Sequence, residues 1–313
     1  MGRAFLDGAL ADFSGYVAVD ELYDGPFCVL SAVDNRCYKR LLYEVLDQNP
    51  THEDLAAFLG RLKTALAARK LPLLGVTTDG ASLYPDPLRE VFGDVPHQIC
   101  QFHVVKAVVK AVLSAVASQR KALVANQAKL PKGRPRTKAA KQAARKKKRV
   151  EQKAADLFKH RHLFVKHALS PRERQLLGAI TRGLPQLRKL RELMDQVYAL
   201  FDRRCRTQTA LAKLRKLRQR LKRFKQLGEC LKKLFAPTLE KAVTFLDDKL
   251  LPATSNAVER GNRRYRKMQK SIYSVRTHEQ IKARIALDMW REAQGKGRDQ
   301  TRETLHDARA GDG

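Results

Sequence analysis

Short apolar runs separated by turn residues occupy the beginning of the chain. Tyr16–Val19 is a β-branched run that ends at Asp20, and Phe27–Val33 follows it after an Asp-Gly-Pro turn signal at 24–26. Tyr38–Leu46 is a third run of the same kind. Apolar runs joined by short turns are typical of neighbouring strands. The pattern therefore predicts an antiparallel meander of three strands.

After the third run the apolar residues recur at helical spacing. Thr51 is the expected N-cap, and Glu53 and Asp54 lie in the first turn, where the helix dipole favours acidic side chains. Spacings of three and four predict one buried face for this helix. The apolar positions of that face are Leu55, Phe58, Leu59, Leu62 and Leu66.

Strands and helices then alternate. Leu71–Thr77 predicts a fourth strand with Asp79 just past its end, Pro87–Phe92 a short helix, His97–Cys100 a fifth strand and Val104–Val116 another helix. The resulting order, β-β-β-α-β-α-β-α, is that of the RNase H-like fold. The fold class is therefore predicted as α/β, an RNase H-like core with a mixed five-stranded sheet and flanking helices.

The middle of the chain is strongly basic. Arg120–Arg161 holds 16 basic and 2 acidic residues, and Arg203–Lys233 holds 13 basic residues and 1 acidic residue. The first segment is either a solvated or disordered linker around 131–136, or an arm that contacts phosphates; its longest basic run is Arg145, Lys146, Lys147, Lys148 and Arg149. The second segment, Arg203–Lys233, predicts a basic amphipathic helix. Its apolar stripe is expected to pack into a core rather than to form an oligomerisation interface. That stripe is Leu211, Leu214, Leu217, Leu221 and Phe224.

The last part of the chain predicts two helices. Thr254, Ser255 or Asn256 caps the first, which runs to about Lys270, and Thr277–Glu292 forms the second. The expected domains are a first core segment at 1–114, a large all-helical insertion at 115–250, the C-terminal core helices at 251–294 and a disordered tail at 295–313.

Charge narrows the class of partner. The chain has 63 Lys and Arg against 32 Asp and Glu, a formal charge of +31, although its first 100 residues carry a net charge of −5. Such an excess indicates a polyanion. No stretch approaches the roughly 18 uninterrupted apolar residues of a spanning helix, and Met1–Gly15 lacks a signal-peptide pattern. Nucleic acid rather than a membrane is the expected partner.

Cysteine usage indicates a reduced, intracellular protein. The five cysteines are scattered and form no CxxC pair, so the sequence suggests neither a zinc ribbon nor a disulfide framework.

Three carboxylates are candidates for phosphodiester chemistry. Such chemistry uses two divalent cations about 3.5–4 Å apart, and Mg²⁺ prefers carboxylate oxygens. Asp20 ends the first predicted strand and Asp79 follows the fourth; these strands are neighbours in an RNase H-like sheet, and Glu259 lies on a later helix. The alternatives are Glu21, Asp24 and Asp34 for the first position, Asp86 for the second, and Asp247 and Asp248 for the third.

Four segments carry a family resemblance: Val17–Asp20, Thr77–Gly80, Cys100–His103 and Thr254–Asn262. In this order they resemble the DDE transposases of the Mutator-like group and their bacterial insertion-sequence relatives. The resemblance implies that Asp20, Asp79 and Glu259 hold two Mg²⁺ or Mn²⁺ ions per active site.

The same segments hold further candidate residues. Cys100 and His103 could be two metal ligands, but a zinc site usually has four, so a supporting role is expected for both, and for Asn256. Asn256, Glu259 and Arg263 fall on one helix face. The expected contacts with the DNA backbone come from Asn262, Arg263 and Arg266, although a solvated basic face explains the arginines equally well.

The expected function is metal-dependent cleavage of double-stranded DNA at transposon ends, followed by strand transfer into target DNA. The resemblance implies a homodimer acting on paired ends, in the cytoplasm and associated with the nucleoid. Members of the resembled family usually carry a zinc-binding or helix-turn-helix module for DNA recognition before the first strand. About fifteen residues precede Tyr16, too few for such a domain, so a truncated copy, a fragment or a protein that has lost that domain is expected. The alternatives are a silent or domesticated DNA-binding derivative, an RNase H-like structure-specific nuclease or resolvase, and a basic nucleoid or ribosome-associated protein.

Overall fold

A computed structural model describes residues 3–127, 135–221, 232, 234–270 and 275–294. Phe224, the Pro131–Arg134 break and the predicted disordered tail lie outside these residues. The chain divides into two compact units: Met1–Cys100 with Leu250–Gly313, and Gln101–Lys249.

The first unit contains a five-stranded mixed sheet. Its strands are β1 (Tyr16–Asp24), β2 (Phe27–Asp34), β3 (Arg40–Leu46), β4 (Gly75–Thr78) and β5 (His97–Ile99). They lie in the order β3-β2-β1-β4-β5. The first three form an antiparallel meander, as the turn pattern predicts, and β4 pairs in parallel with both β1 and β5. This α/β arrangement with flanking helices is compatible with an RNase H-like core.

β1 and β4 differ most from their predicted bounds, and β2, β3 and β5 differ by one or two residues. β1 continues past Asp20 to Asp24, because its hairpin pairing with β2 extends to Asp24 opposite Phe27. Asp20 therefore lies in the middle of a strand and not at its end. β4 begins only at Gly75 because Pro72 in the preceding segment has no N–H to donate to a sheet.

The helices between the N-terminus and β5 are α1 (Arg3–Leu10), α2 (His52–Ala67) and α3 (Pro85–Phe92). The sequence analysis did not predict α1. Thr51 and Asp54 form a capping box at the start of α2. The predicted apolar face of α2 is buried against Val17 and Val19 of β1. This core fixes one face of the sheet.

The second unit is helical throughout its described residues. It contains α4 (Gln101–Ala125), α5 (Lys138–Lys159), α6 (Pro171–Ile180), α7 (Pro185–Leu200), α8 (Thr207–Leu221), α9 (Thr238–Lys241) and two 3₁₀ turns. In α8, Leu214 and Leu217 are buried as the stripe predicts, and Leu211 is half-buried. The expected boundary at 114 falls inside α4, which is one continuous helix.

By length and composition alone, α4 could cross a membrane. Core helices of water-soluble proteins meet the same test, so one such helix is weak evidence. In this structure α4 packs against α5 and α7 of its own unit.

Two C-terminal helices belong to the first unit: α10 (Asn256–Gln269) and α11 (His278–Gln294). Ala257 and Val258 of α10 pack on Ala18 of β1, and Ile281, Ile285 and Met289 of α11 pack with Leu22 of the same strand. The second face of the sheet is thus covered by the helix that carries Glu259.

Candidate active site

The parallel register of β1 and β4 places the carboxylates of Asp20 and Asp79 side by side. The pairs run from Tyr16 opposite Gly75 to Ala18 opposite Thr77. Two further residues along each chain bring Asp20 level with Asp79. An Asx turn follows, in which the Ala81 N–H donates to Asp79 Oδ1 over 2.8 Å.

Asp20, Glu21 and Asp79 form an acidic cluster. Each offers a carboxylate oxygen, and these three oxygens lie within 4.8 Å of one another. Asp20 is buried, at 6% exposure, and the other two are half-buried. The structure thus brings together the two predicted aspartates and adds Glu21, which the sequence offered only as a rival for the first position.

Glu21 is held from the opposite side of the strand. Tyr84, fully buried in the core beneath α2, donates its hydroxyl to Glu21 Oε2. Burial raises the pKa of Tyr84 well above its ordinary value, and the negative charge of Glu21 adds to the shift. The phenol stays protonated at neutral pH, so it acts as a donor towards the carboxylate.

The donor set of the acidic cluster fits a hard divalent cation. Three like charges this close repel one another, and a cation compensates that repulsion. Carboxylate oxygens are the ligands that Mg²⁺ and Mn²⁺ prefer. Asp20, Glu21 and Asp79 are therefore side chains that could hold such an ion here.

Glu259 lies in the first turn of α10, outside the acidic cluster. Its carboxylate is 31% exposed, and its Oε2 lies 3.8 Å from Nη1 of Arg266. It stands one helical turn before Asn262, on the side of α10 that covers Asp20.

Asn262 contacts the cluster directly. Its Nδ2 donates to Asp20 Oδ2 over 2.7 Å, and the residue is only 3% exposed. The sequence analysis expected this side chain to touch DNA, whereas the structure places its amide on the buried carboxylate. Its spacing of three from Glu259 indicated the helix face but not the partner.

Polar side chains of the sheet region hold four consecutive residues before α10. These side chains hydrogen-bond to three backbone carbonyls and one backbone N–H, so every residue of the segment 252–255 is held in place. The contacts are Thr77 Oγ1 to Pro252 O (3.3 Å), Gln98 Nε2 to Ala253 O (3.5 Å), Asn35 Nδ2 to Thr254 O (3.1 Å) and Ser255 N to Cys100 Sγ (3.4 Å).

The CxxH pair is divided between the two units. Cys100, 1% exposed, accepts the Ser255 N–H at the N-cap of α10 and so supports the helix that carries Glu259. His103 belongs to the first turn of α4, where its ring meets Phe102 edge-on with centroids 5.8 Å apart. Asn256 is the exposed first residue of α10.

The rival carboxylates mostly have structural partners. Asp24 accepts hydrogen bonds from Tyr265 and Gln269. Asp34 accepts four, from Ser14 and from the turn after β2. Asp86 pairs with Arg89 on the surface, and Asp247 accepts the Thr207 N–H.

The predicted basic contacts lie on two helices. Arg263 and Arg266 are exposed on α10. The run Arg145–Arg149 lies within α5, whose N-cap is Thr137, and all of it is exposed except the half-buried Lys147. The run is therefore helical rather than disordered, and its exposure leaves open both the solvated interpretation and the predicted DNA contacts.

Comparisons with known proteins add the family. The model of the ISL3 family of DDE transposases, described as "Transposase", matches residues 28–285. The matched span includes Asp79 and Glu259 and begins after Asp20. Searches among curated proteins and among solved structures find no match. The DDE transposase part of the resemblance is confirmed and its Mutator-like part is not: the chain belongs to the ISL3 family of DDE transposases.

Proposed function

We propose that this chain cuts DNA at the ends of a mobile element and joins the freed 3′-hydroxyl to target DNA. The observation that carries the proposal is the acidic cluster, at the parallel register of β1 and β4, in a member of a transposase family. The first unit is then an RNase H-like catalytic core, and Gln101–Lys249 is a helical insertion before its last acidic residue.

Asp20, Asp79 and Glu259 form the proposed triad. Two divalent cations would be held by these carboxylates and would supply activation of the attacking oxygen and stabilisation of the leaving one. Asp20 is oriented by Asn262 and Asp79 by its turn, so both carboxylates are fixed before DNA arrives. Glu259 is partly exposed and lies one helical turn before Asn262, so a change of its side-chain rotamer is the proposed way for the third carboxylate to join the site.

The second unit is proposed to hold DNA through its phosphates. Residues 101–249 contain 40 Lys and Arg against 10 Asp and Glu, a net charge of +30. Charge of this density neutralises a phosphate backbone without reading its sequence. The remaining expectations, a homodimer on paired ends and a cytoplasmic, nucleoid-associated location, follow the family and belong to the proposal.

The test is nicking of supercoiled plasmid and of a labelled duplex oligonucleotide, with Mg²⁺ or Mn²⁺. Wild type should cut, whereas Asp20→Asn, Asp79→Asn and Glu259→Gln should each lower the rate by at least about a thousandfold while DNA binding in a gel-shift assay persists. Asp86→Asn, an exposed surface aspartate, is the matched control and should cut like wild type.

The contrary result has a definite meaning. A wild-type chain that binds DNA in Mn²⁺ but cuts neither substrate would identify a silent DNA-binding derivative, and the carboxylates would then be remnants.

A further inference from the structure

We infer that Asn262 is a positioning residue that selects which oxygen of Asp20 faces the metal site. The inference rests on the proposed function and deepens its metal site. Asn262 Nδ2 lies 2.7 Å from Asp20 Oδ2, and the two residues are 3% and 6% exposed. Water has little access to this hydrogen bond, so the amide holds Oδ2 in a largely dry environment.

The amide is held in place because α10 runs along β1 with fixed contacts on both sides of Asn262. Before it, Val258 is fully buried against Ala18. After it, the Tyr265 hydroxyl donates to Asp24 Oδ2 over 2.7 Å. Asp20 lies between Ala18 and Asp24 on the strand, as Asn262 lies between Val258 and Tyr265 on the helix.

The neighbouring residue, Gly261, lies beside β3. A β-carbon at Gly261 would lie 3.4 Å from Cδ of Arg40, which is a van der Waals contact distance. The same Arg40 is ion-paired with Asp288 and Glu292 of α11. The helical turn that carries Asn262 is therefore fixed against both the sheet and α11.

The chemistry of an amide suits this position. Its N–H engages one carboxylate oxygen, Oδ2, and so restricts rotation of the Asp20 carboxylate beside Glu21 and Asp79. A neutral donor stabilises the charged form of Asp20 without competing for the cation, whereas a Lys or Arg here would neutralise the cluster. Loss of such a supporting hydrogen bond typically weakens metal binding by about 10–100-fold.

The experiment measures Mn²⁺ binding to the full-length chain by electron paramagnetic resonance, without DNA, and nicking as a function of Mn²⁺ concentration. Asn262→Leu keeps the shape of the side chain and removes the donor, and should weaken Mn²⁺ binding about tenfold. Nicking by this variant should recover in part at high Mn²⁺. Circular dichroism melting monitors its fold.

Two controls separate the hydrogen bond from packing. Val258→Ala loosens the same helix without touching the carboxylate, and Asn49→Ala removes an exposed asparagine elsewhere. Both should bind Mn²⁺ like wild type. Equal weakening by Val258→Ala would assign the effect to helix packing and overturn the inference.

The outcomes also separate this inference from the proposed function. Wild-type Mn²⁺ binding that Asn262→Leu leaves unchanged overturns the role of Asn262 alone. A wild-type chain that binds no Mn²⁺ at a site sensitive to Asp20→Asn overturns the metal site, and the role of Asn262 with it.

Discussion

Asp20 is a charged side chain, 6% exposed, in the middle of a strand. Burying a carboxylate is costly unless hydrogen bonds or a cation compensate. One hydrogen bond comes from Asn262, but the nearby Glu21 and Asp79 add repulsion. A cluster that accumulates like charge in this way is a common feature of cation sites, which agrees with the proposed metal site.

Burial beside the acidic cluster also controls thiol reactivity. Burial raises the pKa of Cys28 to about 12, and the charges of Glu21 and Asp20 contribute. At pH 8 a pKa of about 12 leaves only about one thiol in ten thousand as the reactive thiolate. Cys37 is exposed, although burial of its thiol and nearby Asp34 raise its pKa as well.

We therefore predict that iodoacetamide at pH 8 modifies Cys37 far faster than Cys28, as measured by mass spectrometry of tryptic peptides. In denaturant the two rates should converge, which serves as the control. Rapid alkylation of Cys28 in the folded chain would mean that the face of β2 toward α2 is open.

At this scale the sequence predicted that Asp20 lies beside Asp79, because their strands are parallel neighbours in an RNase H-like sheet. It offered Glu21 only as an alternative to Asp20 and not as a member of the same cluster, since adjacent residues of a strand point to opposite faces. It misplaced Asn262 because helical spacing defines a face and not what that face meets.

At the scale of elements, α11 clamps α10 to the edge of the sheet. Asp288 and Glu292 of α11 pair with Arg40 of β3 and with Arg264 of α10, over 2.6–3.5 Å. Arg40 and Asp288 have side-chain exposures of only 10% and 15%. Partly buried, bidentate networks of this kind contribute far more than surface pairs.

We predict that Asp288→Asn lowers the free energy of unfolding by about 2–4 kcal/mol, because it leaves the guanidinium groups of Arg40 and Arg264 partly buried with only one of their two shared partners. Urea denaturation at pH 7 measures this. Asp86→Asn breaks an exposed pair with Arg89 and should cost less than about 1 kcal/mol. Equal effects of the two variants would contradict the clamp.

The pH dependence of this effect has a definite sign. Burial raises the pKa of Asp288, but the hydrogen bonds and charges of Arg264 and Arg40 outweigh it, so the pKa is lowered overall. A lowered pKa contributes stability above the usual carboxyl range, near pH 4, and loses it as pH falls through the lowered value. The difference between wild type and Asp288→Asn should therefore shrink below about pH 4.

Periodicity predicted most elements of the first unit. The meander and the apolar face of α2 follow from alternation and helical spacing, which are local properties. The true length of β1 depended on its pairing with β2, and the network of Arg40 joins residues about 250 positions apart. Such long-range partners leave no local pattern.

At the scale of the whole chain, charge is divided between the two units. The first unit, 1–100 with 250–313, carries a net charge of +1, and its first 100 residues alone carry −5, whereas residues 101–249 carry +30. The acidic cluster and the surface proposed to bind phosphates therefore belong to different units. The charge asymmetry is visible in the sequence itself. The motifs alone, in contrast, did not distinguish the ISL3 family from the Mutator-like group.

The exposed basic run of α5 allows the phosphate-binding role of the second unit to be tested apart from chemistry. Replacing Arg145, Lys146, Lys147, Lys148 and Arg149 with Gln preserves helix propensity and removes five charges. Each lost phosphate contact should lower the slope of log binding constant against log salt by about 0.9. Fluorescence anisotropy of a labelled duplex across a salt series measures this slope.

Arg36, Lys70 and Arg89 are exposed basic residues of the first unit, and their replacement with Gln is the matched control, which should leave the slope unchanged. Because the acidic cluster belongs to the first unit, the α5 variant should bind Mn²⁺ like wild type while holding DNA more weakly. An unchanged slope would remove α5 from the DNA-binding surface and leave the rest of the helical unit to supply it. A loss of Mn²⁺ binding together with DNA binding would instead mean that the two units do not act separately, since no charge of the metal site was altered.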